Sequence, residues 1–532
     1  MLTRESQKSQ FSIIAISPKR HYNMHMTLAR KILGNTASQV LGRFLTAFLA
    51  VVVVKILTTY LGQAGYGQYA TIYEFLAFFG AFADFGIFTI AVREMSREKS
   101  DQKAVFGNAL TLRTLFTAIA MLIAAGAGFL VPQYQHSVIP VGILIASLST
   151  FFVILSGTLS VALQIQLRME FAAIALVLGK VLTVAMVLFV TKTLFPTATE
   201  ESFFLLIWAG TIGAALTFLL TLVWTGMSFP VRFRFEKTLS KELLIEAAPF
   251  AIALALNTLY VRLDILLLSL LLPSSEGGIC SSPFCGDVEV GAYAVAARIL
   301  EILLMIPIYF MNSVLPSLTE RIAKESDTLL RLLQNAFSFL LAVGAPAGIL
   351  LFLLSRETTS LISSDAFLST LEQAGSDSAL RILSGMIPVA FLSIFFGFLL
   401  IASGRQKELI RINFLTVSCN ILLDLFLIPK YGFIGAAWGS FFSEFVLLSL
   451  MIFTTNRSIS FTPDIRLLKI LASAGGAGAI AFGAHAICIS FGTMFSFGGT
   501  FIVFTGIYAL NLWITGVLSK QMMREVFGKT PS

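Results

Sequence analysis

Twelve ionisable side chains fall inside otherwise apolar stretches of this 532-residue chain. The cations are Arg43, Lys55, Arg113, Lys180, Arg262 and Arg298, and the anions are Glu74, Asp84, Asp264, Glu301, Asp424 and Glu444. A charge held in hydrocarbon is costly, so such a residue faces either a partner or a water-filled cavity. Three roles meet that demand: structural pairing between helices, contact with an anionic substrate, and coupling to an ion. The structural reading pairs Arg43 with Asp84, and Arg298 with Asp264 or Glu301. Lys55 lies close enough to the end of its stretch to snorkel to the interface. Pairing alone does not account easily for six cations. Arginine binds phosphate oxygens bidentately and stays charged. Arg43, Arg113, Arg262 and Arg298 are therefore the candidates for contact with an anionic head group. Asp84, Asp264, Glu301 and Glu74 are the candidates for charge pairing or for binding a coupling ion, H+ or Na+.

Other chemistry is not written into the chain. Gly528-Lys529-Thr530 lacks the earlier glycine of a phosphate-binding loop, so ATP is not expected as the direct fuel. His21, His25, His136 and His485 have no metal-ligand spacing, and no nucleophile elbow occurs. No metal, resident cofactor or enzymatic activity is expected. Cys280 and Cys285 share one short loop. They suit a disulfide if that loop faces an oxidising space and two free thiols if it does not; zinc would need two more ligands. Cys419 and Cys488 read as small apolar residues within spans.

The elements that must position these charges are membrane helices. Hydrophobic residues make up 57% of the chain and charged residues 12%, too few to coat a soluble protein of this length. Stretches of about 20 apolar residues recur, and about 14 spans are predicted. The first six lie near 36–60, 69–91, 104–130, 138–163, 171–194 and 203–225. The next six lie near 246–272, 291–317, 332–354, 380–402, 411–428 and 433–454, and the last two near 466–489 and 497–518. Alternate loops collect the cations. With the N-terminus inside, about 27 Lys and Arg fall inside and about 4 outside, the positive-inside pattern. This accounts for the net charge of +8 without nucleic acid. At 1.5 Å per residue, Arg43, Asp84 and Arg113 lie at the inner level. Arg262, Asp264 and Arg298 lie in the outer half, with Glu301 one turn below Arg298 on the same face. Outer loops are short, which argues against a membrane glycosyltransferase or polymerase.

A faint repeat links Gly67-Gln-Tyr-Ala70, followed by Glu74, to Gly291-Ala-Tyr-Ala294, followed by Glu301. It suggests a tail (1–30), a six-helix half (31–226), a linker (227–243), a second six-helix half (244–455) and two appended helices with a tail (456–532). Four segments carry a resemblance to a known family: Tyr60-Leu-Gly-Gln-Ala-Gly-Tyr-Gly-Gln-Tyr69, read as an outer loop; Asp84-Phe-Gly86 with Arg93-Glu94; Tyr260-Val-Arg-Leu-Asp264 with Gly291-Ala-Tyr-Ala294 and Arg298; and Pro429-Lys-Tyr-Gly-Phe-Ile-Gly-Ala-Ala437 with Glu444. In order and spacing these resemble the Wzx-like polysaccharide-biosynthesis flippases of the multidrug/oligosaccharidyl-lipid/polysaccharide superfamily. The resemblance implies an all-α, multi-pass protein of a prokaryotic plasma membrane, with two lobes in a V around a central cavity and both termini cytosolic. It implies movement of a polyprenyl-pyrophosphate-linked sugar between leaflets, with membrane lipids and polysaccharide assembly proteins as further partners. A peptidoglycan lipid precursor or an expelled drug are the alternative cargoes in the same superfamily. A drug exporter would favour acids in its cavity.

Overall fold

The computed structural model describes residues 21–97, 101–273, 284–324, 328–457, 461–462 and 464–516; these are helical almost throughout, with no strand among them. The helices are α1 (His21–Asp84), α2 (Ile87–Met95), α3 (Gln102–Leu130), α4 (Ile139–Ile165), α5 (Met169–Phe189), α6 (Glu200–Ser228) and α7 (Lys237–Leu271), then α8 (Gly286–Ala323), α9 (Leu329–Leu353), α10 (Ser355–Ile362), α11 (Ser376–Ala402), α12 (Gln406–Asn456), α13 (Arg466–Cys488) and α14 (Thr493–Ile514). Eleven helical stretches among the described residues are long and apolar enough to cross a membrane. Large apolar side chains lie open on their outer faces, including Leu122, Phe482 and Trp513. Lipid, not water, suits that surface.

Two of the eleven are double crossings. A straight helix of 64 residues would run about 96 Å, against about 30 Å of hydrocarbon. α1 solves this by bending at Gly62, whose φ of 68° is open to glycine at no steric cost. α12 bends likewise at Gly432, φ 56°. Counting both arms of α1 and α12, and adding the 35-residue α7, gives the fourteen passes expected. Their limits differ in places. The segment Tyr60–Tyr69 is a bent helix and not a loop, because one residue supplies the whole turn. The second pass ends at Asp84, where Phe85 and Gly86 both take positive φ and start the short α2. The short α10 opens the connection between α9 and α11. α1 is already helical at His21, inside the expected tail.

The first six passes pack mainly on one another, through α4 on α6, α5 on α6, α3 on α4 and α1 on α5; we call them the N-terminal bundle. α11 packs on α9, α12 and α8, and α12 on α7, forming the C-terminal bundle. α13 packs on α14 and α9, and α14 also reaches α10. The bundles meet where the second arm of α1 crosses α8. A β-carbon on Gly67 would run into the Asp287 carbonyl oxygen and come within 2.9 Å of the Gly291 nitrogen; one on Gly291 would strike the Gln63 carbonyl. The two glycines of the sequence repeat thus touch each other, backbone to backbone, as small residues allow between membrane helices.

Candidate functional site

About two to three helical turns below that glycine contact, four charges from both bundles converge. Glu74 on α1 accepts from Arg262 Nη1 on α7 at 2.7 and 2.6 Å. Arg262 also lies 3.0 Å from Glu301 on α8. Arg298, one turn before Glu301, bonds it at 2.7 Å and sits 3.5 Å from Glu74. Glu74 is buried, while the arginines keep partial exposure. The cluster is neutral as a whole, two of each sign, and it ties α1 to α7 and α8.

The glycine contact continues toward the Tyr60 end as a row of polar ties. Gln68 donates to Asp287 at 2.9 Å and Gln63 to the Ala366 carbonyl at 2.7 Å. Lys55 donates to the Ser360 and Ser363 carbonyls at the C-terminus of α10, at 2.6 and 2.5 Å. Those carbonyls are the negative end of a helix, so Lys55 bridges the bundles instead of snorkelling.

The other expected pairs are redistributed. Arg43 does not meet Asp84; its guanidinium donates to the Tyr309 hydroxyl of α8 at 2.6 Å, with its carbon 5.5 Å from the ring centre. Asp84 instead pairs with Arg113, which is buried within the N-terminal bundle and also donates to Thr158 at 3.0 Å. The reason is geometric: the break at Phe85–Gly86 turns the end of α1 onto α3. Arg113 thus reads as structural here. Arg298 does not meet Asp264 either, since Asp264 points into the C-terminal bundle.

Asp264 accepts from the Tyr293 and Ser440 hydroxyls, and Asp424 and Asn420 of α12 lie against it. Asp264 Oδ1, both Asp424 oxygens and both Asn420 amide atoms are buried and meet no polar group beyond one another among the described residues. Gly439 makes room, because a β-carbon there would overlap Asp424 Oδ1. Two buried carboxylates, an amide and two hydroxyls form an oxygen-rich cluster whose donor set suits a small cation. No group of three or more His, Cys, Asp or Glu with metal-site geometry occurs among the described residues. Nearby, Tyr260 donates to Glu444 at 2.7 Å beside a cavity of about 360 Å³. Sequence singled out Asp264 but gave Asp424 and Glu444 no role, since their partners come from other helices.

Three cavities run in series along the N-terminal bundle. A surface cleft of about 970 Å³ lies at the Lys103 end, with Arg97, Lys103, Gln39 and Gln164 in its walls. Gln39 and Gln164 also line the next, of about 470 Å³, which contains Arg43. Val153, Leu176 and Thr217 are shared in turn with the third, of about 330 Å³, which contains Lys180 and Arg298. The row therefore passes from the Lys103 end to the charge cluster and stops below the glycine contact. Cys285 precedes α8 and is disulfide-bonded; Cys280 lies outside the described residues. Cys419 and Cys488 are free.

The family model described as polysaccharide biosynthesis protein matches residues 32–322, and the one described as MatE matches residues 278–426. No curated protein matches the chain. Among solved structures it is similar to the lipid II flippase MurJ in an inward closed conformation, with a TM-score of 0.69 at 15% identity over 91% of this chain and 98% of that one. It is also similar to the Vibrio cholerae MATE transporter VcmN, with a TM-score of 0.56 at 15% identity over 83% and 99%. An inward-facing multidrug resistance MATE family transporter of the MOP superfamily gives 0.57 at 13% identity over 79% and 95%. At these identities the likeness establishes the fold: an all-α, multi-pass membrane protein.

Proposed function

The chain belongs to the polysaccharide biosynthesis protein family, and from that premise we propose that it is a flippase carrying a polyprenyl-pyrophosphate-linked oligosaccharide from the cytoplasmic to the outer leaflet by alternating access. The observation that carries this reading is the row of cation-lined cavities, open at the Lys103 end and stopped at the Arg262–Arg298 cluster. The cation asymmetry of the loops supports a cytosolic Lys103 end. An anionic head group entering there meets Arg43 and then Arg298. Glu74 and Glu301 hold Arg262 and Arg298 while the path is empty, so a pyrophosphate has to replace a carboxylate as their partner. That exchange is the step that would release α1 from α7 and α8 and let the Tyr60 end part. The oxygen-rich cluster of Asp264, Asp424 and Asn420 lies outside this path and is suited to the coupling ion, Na+ or H+. No step calls for enzymatic chemistry.

The peptidoglycan lipid precursor is the second reading. It carries a polyprenyl pyrophosphate too, and the likeness to the structure named above as a lipid II flippase covers 91% of this chain. Sugar-lipid export by cells carrying Arg43→Gln, Arg262→Gln or Arg298→Gln, with protein levels checked, tests the flippase. Export should fall at least about tenfold, the loss of about 1.4 kcal/mol of charge recognition. Wild-type export by all three would remove the proposed path. Complementation of a lipid II transport defect by the wild-type chain would select the second reading.

A further inference from the structure

Lys180 stands in the middle of α5, and the sequence reading gives it no role. Five of the six intramembrane cations have partners: Arg43 a tyrosine hydroxyl, Lys55 two carbonyls, Arg113 Asp84, and Arg262 and Arg298 the two glutamates. Lys180 is half-buried, and among the described residues it has neither an ion-pair nor a hydrogen-bond partner. Arg298, a like charge, lines the same cavity. A buried charge with no counter-charge destabilises the protein that carries it, so this one is set up for a ligand.

The cavity around it fits that need. It holds about 330 Å³ and is walled by α1, α4, α5 and α6, with Arg298 as its one contribution from the C-terminal bundle. Its floor is kept low by glycine. A β-carbon on Gly179 would strike Thr217, and one on Gly213 would strike Thr183, so α5 and α6 close together there. Tyr69, Tyr73, Ser149, Thr183 and Thr217 put hydroxyls around the space. We propose that this cavity is a binding site for the phosphate or pyrophosphate group of an amphiphile, held between Lys180 of one bundle and Arg298 of the other. Binding there pulls Arg298 away from Glu74 and Glu301, so Lys180 makes release of the inter-bundle cluster depend on the cargo. The anion chemistry stands on the cavity alone; its assignment to a transported lipid rests on the flippase reading.

The test uses the full chain in phosphatidylcholine nanodiscs, with farnesyl pyrophosphate as the probe and farnesol as its uncharged control. Farnesyl pyrophosphate should bind the wild type and raise its Tm, as any ligand selective for the folded state does; farnesol should not. Lys180→Gln should raise the Tm of the empty protein, because it removes an unpaired charge, and should weaken the probe about tenfold or more. Lys180→Arg should restore binding. A Lys180→Gln protein that binds the probe like wild type, or that loses Tm with affinity unchanged, overturns the site. Competition by phosphatidylglycerol as strong as by the pyrophosphate itself reassigns the cavity to a bulk lipid and overturns the cargo. The two readings separate in cells. Lost binding with intact sugar-lipid export by Lys180→Gln keeps the anion site and removes the flippase reading of it. Intact binding, beside failed export in Arg43→Gln, does the reverse.

Discussion

Glu74 is the residue through which both arginines of the cluster reach the N-terminal bundle. Removing its charge leaves Arg262 and Arg298 sharing Glu301 alone, and breaking a buried ion pair from one side costs about 3–5 kcal/mol. Arg262 and Arg298 are partly exposed, which water screens, so about 2–3 kcal/mol is expected for Glu74→Gln. Thermal unfolding in detergent should show the drop. The double variant Glu74→Gln/Arg262→Gln should lose less than the sum of the two single changes, because the partners belong to one network; strict additivity would mean that the bond does not contribute. Residues at this scale were partly legible. Every charge that the structure places in the cluster stands out in the sequence as an acid or base in an apolar stretch. Its partner does not, because a pair such as Glu74–Arg262 joins helices 188 positions apart. Local rules favour the near neighbour, and the one local pair joins Arg298 to Glu301, one of the two partners that the sequence left open for Arg298, the other being Asp264.

Helices were legible because a crossing demands a fixed apolar length. Their reversals were not, because at Gly62 and Gly432 a single left-handed residue replaces a loop. The repeat around Gly67 and Gly291 was visible as four residues, but its meaning is in the packing: those glycines let α1 and α8 approach until backbones touch. A side chain at either position must push them apart. Gly291→Val should therefore reduce cross-linking between cysteines placed at Gln63 and Ala366, which the Gln63–Ala366 hydrogen bond brings together across the same interface. Equal cross-linking yields with Gly and Val at 291 would show that the contact does not hold the bundles together. The start of α8 offers a second measurement. With Cys419 and Cys488 replaced, Cys285 should react with a membrane-impermeant maleimide after reduction and not before it. Reaction without reductant would contradict the bond.

For the whole molecule, the cavities, the cluster and the glycine contact lie along one direction, and the cation asymmetry gives that direction a sign. A cysteine at Arg232, between α6 and α7, should be reached by an impermeant reagent only when the membrane is opened from the cytosolic side; labelling on intact cells would reverse the orientation and with it the transport direction. Given that orientation, the energetics follow. A charge crossing the membrane gains or loses about 2.3 kcal/mol per 100 mV. A pyrophosphate with two net charges moving outward runs down an inside-negative potential and gains about 4–5 kcal/mol by the same rule. In the proposed cycle the glutamates take the arginines back after release, so the empty protein would return with a neutral cluster and do little work against the field. The cycle as a whole then carries negative charge outward. In right-side-out proteoliposomes, an inside-negative potassium diffusion potential of about 100 mV should speed appearance of the lipid-linked sugar in the outer leaflet, and an inside-positive one should slow it. If Na+ enters through the Asp264 and Asp424 cluster, Asp264→Asn should abolish any stimulation by an inward Na+ gradient while leaving part of the response to voltage, since the cargo's own charge still crosses the field. A rate indifferent to the sign of the potential would rule out net outward movement of negative charge, and the cations along the path would then serve to bind the head group without transport being driven by its charge.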